Sequence, residues 1–212
     1  MRTKPGNSFT CRSLICVLLL SFTLTATSPR SYGQQYPKWE AFTGFSYAHV
    51  NLGPAAATFQ PTDQNYYGMH INGSFNPRSY LRILLCDFSV QVGGTTINVA
   101  PEHADVRTSQ ILFGPEFVWR SARTTAFAHS LVGMTNARLV SRIGGSDIIP
   151  DLVNQTSLAF GFGGGLELHL SRMVALRAVE ADCVPTRISG TWENHFRVSS
   201  GIVWRFDYTQ RR

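Results

Sequence analysis

Residues 158–170, LAFGFGGGLELHL, alternate bulky apolar side chains with small or polar ones. The apolar positions are Leu158, Phe160, Phe162, Leu166, Leu168 and Leu170, and the intervening face carries Ala159, Gly161, Gly163, Gly165, Glu167 and His169. Successive side chains of a β-strand point to opposite faces of the sheet, so a period of two residues indicates a strand. The stretch therefore predicts a strand with a broad apolar face and a narrow polar face.

The same alternation recurs along the chain, most clearly in residues 110–120 and 195–206. Weaker examples bring the expected number of strands to eight, at 39–50, 66–75, 80–92, 124–138 and 174–186. Each segment reaches the roughly 9–11 residues that a tilted strand needs to cross a bilayer. The sequence thus predicts an all-β fold of membrane-spanning strands.

The connections between these segments alternate in length. Long loops are expected at 51–65, 93–106, 139–155 and 187–194, and tight turns at 76–79, 121–123 and 171–172. This alternation is typical of a closed antiparallel up-and-down barrel with loops at one rim and turns at the other. We expect the loops to face the outside of the cell and the turns to face the periplasm.

The composition of the two strand faces indicates which one meets lipid. Glycines suit the cramped inside of an eight-stranded barrel, because side chains just fill the interior of a barrel of that size. Aromatic residues near the strand ends are typical of the girdles at membrane interfaces. A soluble, lipocalin-like carrier would instead need the apolar face to point inward. We therefore expect these side chains to face outward: Phe160, Phe162, Leu166, Leu168, Trp204 and Phe206.

Overall composition excludes several other classes. The 212 residues are 43% hydrophobic, 12% aromatic and only 15% charged, with a mean hydropathy of −0.05. After the N-terminus no apolar run approaches the roughly 18 residues of a spanning helix, which argues against a polytopic helical membrane protein. The absence of low-complexity runs and of sustained heptads argues against a disordered chain and a coiled coil.

Residues 1–33 have the form of a secretory signal peptide. Arg2, Lys4 and Arg12 precede the apolar stretch 14–24, and small residues at Ser31 and Gly33 suit cleavage before Gln34. The mature chain would then be a barrel domain at 34–212. The first 33 residues hold four of the 19 basic residues and none of the 13 acidic ones. The remainder is only slightly basic, so we expect no nucleic-acid partner.

Two cysteines remain in the mature chain, Cys86 and Cys183. They could form one disulfide in an exported protein, or they could be two small apolar side chains on strands. No Cys-x-x-Cys motif or Cys/His cluster occurs in the sequence, so no metal site is predicted. No cofactor is predicted either, because the glycines of GFGGG (161–165) lie inside a strand pattern and are not followed by a phosphate-binding Lys-Ser/Thr.

By alternation, ten charged or polar side chains are expected to point into the barrel and to pair with one another: Glu40, Asp87, Glu116, Arg120, Glu167, His169, Glu180, Asp182, Arg197 and Arg205. Unpaired charges inside a protein are costly, so opposite signs should meet in a hydrogen-bonded network. Such a network would fill most of the lumen of an eight-stranded barrel.

Ser–His pairs are the candidate catalytic groups, because some lipid A-modifying barrels use such a pair. His169 and Ser171 have the spacing that places two side chains on one strand face, but His169 shares its face with Glu167 and is expected inside the barrel. His129 and Ser130 are adjacent and should face opposite sides. We therefore predict no catalytic residue.

Five stretches resemble the bacterial outer-membrane β-barrel family related to the N-terminal barrel of outer membrane protein A: WEAFTGFSY (39–47), ILFGPEFVWRS (111–121), FAHSLVGMTNAR (127–138), GFGGGLELHLSRMVALRAVEAD (161–182) and FRVSSGIVWRF (196–206). The resemblance spans 39–206 and is most specific in FGPEF and GGGLELHLSRMVALR. It implies an eight-stranded barrel that the barrel-assembly machinery inserts among the lipids of the bacterial outer membrane.

The sequence thus favours a small, non-catalytic outer-membrane barrel with a structural or surface-interaction role. It does not identify the partner that the loops would bind. The alternatives are a narrow, porin-like channel for ions or small solutes and a barrel-type lipid A-modifying enzyme.

Overall fold

The computed structural model describes residues 35–51, 63–97, 102–143, 146–188 and 191–208, and their strands form one closed barrel. In chain order the strands are β1 (Pro37–Asn51), β2 (Asp63–Arg78), β3 (Leu81–Ile97), β4 (Glu102–Arg120), β5 (Thr124–Ile143), β6 (Ser146–His169), β7 (Val174–Ile188) and β8 (Thr191–Tyr208). Each strand pairs antiparallel with its chain neighbour, and β1 pairs with β8 to close the sheet. The predicted all-β, eight-stranded antiparallel barrel is confirmed.

The strands are longer than predicted, and several expected loops were wrong. Much of the predicted loop 93–106 belongs to β3 and β4, almost all of 139–155 belongs to β5 and β6, and most of 187–194 belongs to β7 and β8. Backbone pairing can continue along a hairpin where both faces of the strands meet water. Apolar alternation indicates only the part of a strand whose two faces differ in polarity, so it misses such strand ends. Residues 52–62 of the first predicted loop and the predicted signal peptide lie outside the described residues.

The turns at the other rim are close to their predicted places. Residues 121–123 connect β4 to β5 as expected. β2 continues through Arg78, so the first turn is at residues 79–80 rather than 76–79. β6 ends at His169 and β7 begins at Val174, so Leu170 lies in the turn and not in the predicted strand.

The apolar face of the barrel points outward. Phe162, Leu166, Leu168, Trp204 and Phe206 are all exposed, and Phe160 is half-exposed. Glu167 and Arg197, from the opposite faces of β6 and β8, are 0% and 2% exposed. This arrangement excludes the lipocalin-like alternative, because the bulky apolar side chains would have to line the interior. Within the described ranges, no helical segment combines the length and apolar character that a membrane crossing needs.

Among the described residues, the interior holds two small apolar clusters besides its polar side chains. One cluster consists of Leu84, Leu112, Leu131, Ala159 and Val184, and the other of Phe42, Ala175 and Val203. Along the inner face of β7, Ala175 of one cluster and Val184 of the other bracket the buried Arg177, Glu180 and Asp182. The polar part of the lumen is therefore flanked by packed apolar side chains.

Inward glycines on β6 make room for side chains from other strands. A Cβ added at Gly163 would collide with the Asp182 carboxylate, and one at Gly165 would lie 2.8 Å from Cζ of Phe127. The glycine-rich stretch is thus explained by crowding inside the barrel. Cys86 on β3 is a free, exposed thiol, so it forms no disulfide with Cys183 on β7.

Candidate functional site

The lumen carries a network of ion pairs that joins strands on opposite sides of the barrel. The structure places the ten residues predicted for the interior on its inner face. Eight are buried, namely Glu40, Asp87, Glu116, Glu167, Glu180, Asp182, Arg197 and Arg205. Arg120 and His169 lie at the rim formed by the turns and are partly exposed.

Arg82 on β3 is the first centre of this network. Its guanidinium is 2.6 Å from Glu116 Oε1 and 3.2 Å from Glu167 Oε1, and it also pairs with Glu40. Its Cζ lies 5.7 Å from the centroid of the Phe127 ring. Three carboxylates from β1, β4 and β6 thus share one buried arginine.

Glu167 on β6 is the second centre, because three arginines converge on its carboxylate. Arg82 and Arg177 approach Oε1 at 3.2 and 2.8 Å, and Arg205 approaches Oε2 at 3.1 Å. Arg177 also pairs with Glu180 at 2.7 Å. We call Glu40, Arg82, Glu116, Glu167, Arg177 and Arg205 the arginine cluster.

A second group, the histidine cluster, consists of His70, Asp87, His129, Asp182 and Arg197. Arg197 Nη1 is 3.0 Å from Asp87 Oδ1, and Nε of Arg197 donates to Asp182 Oδ2 at 2.9 Å. His70 Nε2 lies 2.7 Å from Asp87 Oδ2, and His129 Nε2 lies 2.9 Å from Asp182 Oδ1.

Two carboxylates join the clusters into one network. Glu116 pairs with Arg82 through Oε1 and with His129 through Oε2, the latter at 3.3 Å. Glu180 pairs with Arg177 and lies 3.8 Å from His70 Nδ1. Across the described lumen, six buried carboxylates face four buried arginines, and a fifth arginine, Arg120, lies near Glu40 at the rim, so the charge is close to balanced. A buried charge that loses its partner is strongly destabilising, and this balance is what makes the network tolerable.

Four residues of the network were missed from the sequence: His70, Arg82, His129 and Arg177. The two arginines were missed because β-bulges in β3 and β7 change the side-chain parity. The β3–β4 register shifts between Leu84 and Asp87, and the β7–β8 register shifts between Arg177 and Glu180. A bulge inserts one residue and reverses the side-chain parity, so strict alternation from the inward Asp87 places Arg82 outside.

The two histidines needed a different signal. His70 shares the inner face of β2 with the buried Asn72 and Ser74, opposite the exposed Met69 and Ile71, and this polar parity could have placed it inside. On β5, the inward neighbours of His129 are the apolar Phe127 and Leu131. Because these inward neighbours are apolar, the alternation on β5 does not indicate that His129 faces a polar interior.

A cavity of about 420 Å³ opens at the turn side of the barrel. Its lining includes Arg120, His169, Arg172, Arg205 and Tyr208. His169 Nε2 lies 2.7 Å from Thr125 Oγ1. The Ser171 hydroxyl accepts hydrogen bonds from the backbone N–H groups of Met173 and Val174 at 3.2 and 3.0 Å. The His169 and Ser171 side chains thus have separate partners, and Ser171 stabilises the β6–β7 turn.

No protein family matches the chain, and no curated protein matches it. Among solved structures the fold is similar to Ail, the attachment invasion locus protein of Yersinia pestis, in complex with the heparin analogue sucrose octasulfate. The two are 12% identical with a TM-score of 0.53, over 80% of this chain and 99% of Ail. Neisserial surface protein A (NspA) is 15% identical with a TM-score of 0.55, over 82% of this chain and 99% of that one.

These likenesses confirm the fold that the resemblance to outer membrane protein A implied. The apolar exterior of the barrel agrees with them, because only lipid would leave so many large apolar side chains favourably exposed. The chain shares the barrel fold of Ail and NspA.

Proposed function

We propose that this chain is an integral protein of the bacterial outer membrane that acts without catalysis, in a structural or surface-interaction role, and that its lumen is closed. The observation that carries the proposal is the buried ion-pair network, which links inner-face residues of β1, β3, β4, β6, β7 and β8. Outer-membrane lipid would surround the barrel, and the barrel-assembly machinery would insert it.

The network supports a closed lumen on energetic grounds. Arg82, Arg177 and Arg197 are at most 2% exposed, and Glu116, Glu167 and Glu180 are fully buried. A continuous water path would require these groups to separate and to lose pairings that compensate their desolvation. An eight-stranded barrel offers little room for water beside side chains of this size.

A non-catalytic role is supported by the geometry of the two Ser–His pairs. The Ser171 hydroxyl is engaged by the β6–β7 turn and His169 by Thr125, whereas a serine nucleophile needs its base within hydrogen-bond reach. His129 is buried in the lumen and its neighbour Ser130 is exposed on the outer face.

A surface-interaction role is supported by the length of the strands. β5 has 20 residues and β6 has 24, well beyond the roughly 9–11 needed to cross a bilayer. The β5–β6 hairpin therefore extends past the membrane at the rim opposite the short turns. We propose this extended rim as the surface that meets the loop partner.

Planar-bilayer recordings and a lipid A deacylation assay on the same purified barrel test this proposal. We expect at most rare, small current steps and no release of fatty acid. Stable, large conductance would instead establish the channel alternative, and acyl release that depends on His169 or Ser171 would establish the enzyme.

A further inference from the structure

A histidine and two carboxylates converge inside the barrel in a way that ion pairing does not fully account for. One ligand atom each from His129, Glu180 and Asp182 lies within 4.8 Å of the others, and all three side chains are buried. We propose that these residues bind one divalent transition-metal cation of the zinc class. This inference goes beyond the proposed function and does not depend on whether the barrel conducts.

Each of the three ligands is held by a neighbour through an atom that the cation would not need. His129 Nδ1 lies 3.3 Å from Glu116 Oε2, Asp182 Oδ2 is held by Arg197 at 2.8–2.9 Å, and Glu180 Oε2 is held by Arg177 at 2.7 Å. The atoms not held by these neighbours are His129 Nε2, Asp182 Oδ1 and Glu180 Oε1. We assign them to the cation, which would replace the 2.9 Å contact between Nε2 and Oδ1. Outer-shell partners of this kind orient metal ligands in known sites, including the carboxylate–histidine pair.

Glu180 Oε1 is the independent sign of a missing ligand. Glu180 is fully buried, and this oxygen has no hydrogen-bond donor among the described side chains. A carboxylate oxygen buried without a partner is costly, and a bound cation would satisfy it.

Both ring nitrogens of His129 orient the imidazole toward the proposed site. Acceptor oxygens lie against both ring nitrogens, at 3.3 Å on Nδ1 and 2.9 Å on Nε2. His129 Nε2 and Asp182 Oδ1 lie 2.9 Å apart, so the two ligand atoms are already neighbours. A tetrahedral cation with ligand bonds of roughly 2.0–2.2 Å would need them to separate to about 3.3–3.6 Å.

Local charge also favours a cation. Asp87 and Asp182 share the single guanidinium of Arg197, and Arg177 divides its charge between Glu180 and Glu167. One imidazole nitrogen with two carboxylates is a donor set for zinc, cobalt, nickel or ferrous iron rather than for calcium or magnesium, which prefer oxygen ligands alone. This site could not be predicted from the sequence, because its ligands come from β5 and β7 without any metal-binding spacing.

Equilibrium dialysis of the detergent-solubilised, EDTA-treated barrel against Zn²⁺, followed by metal analysis, tests the proposal. We expect about one tightly held zinc per barrel, as for an enclosed protein site. Co²⁺ in its place should give d–d absorption bands typical of nitrogen and oxygen ligands. Excess Mg²⁺ should not displace either ion.

Variants distinguish this site from surface binding. His129→Gln should abolish the bound zinc, whereas Glu116→Gln should keep the ligands and weaken zinc affinity about 10–100-fold. His195→Gln is the matched control, because His195 is also a buried histidine of the inner face but lies outside the cluster. Heat-modifiable migration on gels would show that each variant folds. A wild-type barrel that retains no zinc, or zinc lost equally in His195→Gln and His129→Gln, would overturn the proposal.

Discussion

Glu167 is one of two centres of opposite charge in the described lumen, since Arg82, Arg177 and Arg205 reach its two oxygens from three different strands. Glu116 pairs with one arginine of the described network, Arg82, so its removal affects fewer buried charges. Residues of equal burial in this network should therefore differ in their contribution to stability.

Glu167→Gln should destabilise the barrel by about 3–5 kcal/mol, because it leaves buried arginines without their shared carboxylate. Urea titration of the barrel in lipid vesicles would measure the change in unfolding free energy. Asp207→Asn is the matched control: Asp207 pairs with Lys38 at 3.4 Å in an exposed position, so its loss should cost at most about 1 kcal/mol. Equal effects of the two substitutions would contradict the network's role in stability.

Gly163→Ala should destabilise the barrel by about 1–3 kcal/mol, because the added methyl group would collide with the Asp182 carboxylate in a filled interior. Gly73→Ala is the control, since a Cβ there meets no atom within 4 Å. The same urea titration measures both. If Gly163→Ala were as well tolerated as Gly73→Ala, the packing of Asp182 against β6 would be wrong.

At the scale of the strand, side-chain alternation predicted which segments form strands. It predicted less well where the strands end and where their register shifts. β4, β6 and β8 keep one parity through the membrane-facing part, so the outward Phe162 and Trp204 and the inward Glu116 and Arg197 were predictable. β3 and β7 contain register shifts, which no local side-chain pattern announces, and these concealed Arg82 and Arg177. Strand ends beyond the bilayer were missed because apolar alternation is not needed there.

Leu166→Arg places a charge on the lipid face and should destabilise the barrel by about 2–4 kcal/mol if the site is near the midplane. Leu166 is 37% exposed on the outer face of β6. Met173→Arg, in the β6–β7 turn, is the control, and its cost should fall to about 0–1 kcal/mol near the interface. Unchanged folding of Leu166→Arg into vesicles would show that this face does not meet lipid.

The orientation of the hairpins is open to a separate test. An epitope tag inserted between Ile143 and Ser146 should be accessible to antibody on intact cells, whereas a tag in the turn at 121–123 should be accessible only after the outer membrane is permeabilised. The reason is the expected placement of short turns on the periplasmic side. Labelling of the 121–123 tag on intact cells would show that the short turns face the outside of the cell, contrary to the expected orientation.

At the scale of the whole molecule, closure of the sheet and closure of the lumen are separate consequences of the sequence. The sheet closes because an open strand edge cannot lie in hydrocarbon, and β1 pairs with β8 accordingly. The proposed closure of the lumen depends on charged side chains that pair across it, and the inward Gly163 leaves room for one of them, Asp182. Pairing across the barrel joins residues as far apart in the chain as Asp87 and Arg197, so its partners could not be read from the sequence.

Single-channel conductance of the wild-type barrel and of Glu116→Ala, recorded side by side in planar bilayers, tests the closed lumen most directly. Glu116 joins Arg82 to His129, so its removal should loosen the connection between the two clusters. We predict a nearly silent wild type, more frequent or larger current steps in Glu116→Ala, and no change in Asp207→Asn. Stable, porin-like conductance in the wild type, or identical traces for wild type and Glu116→Ala, would contradict the account.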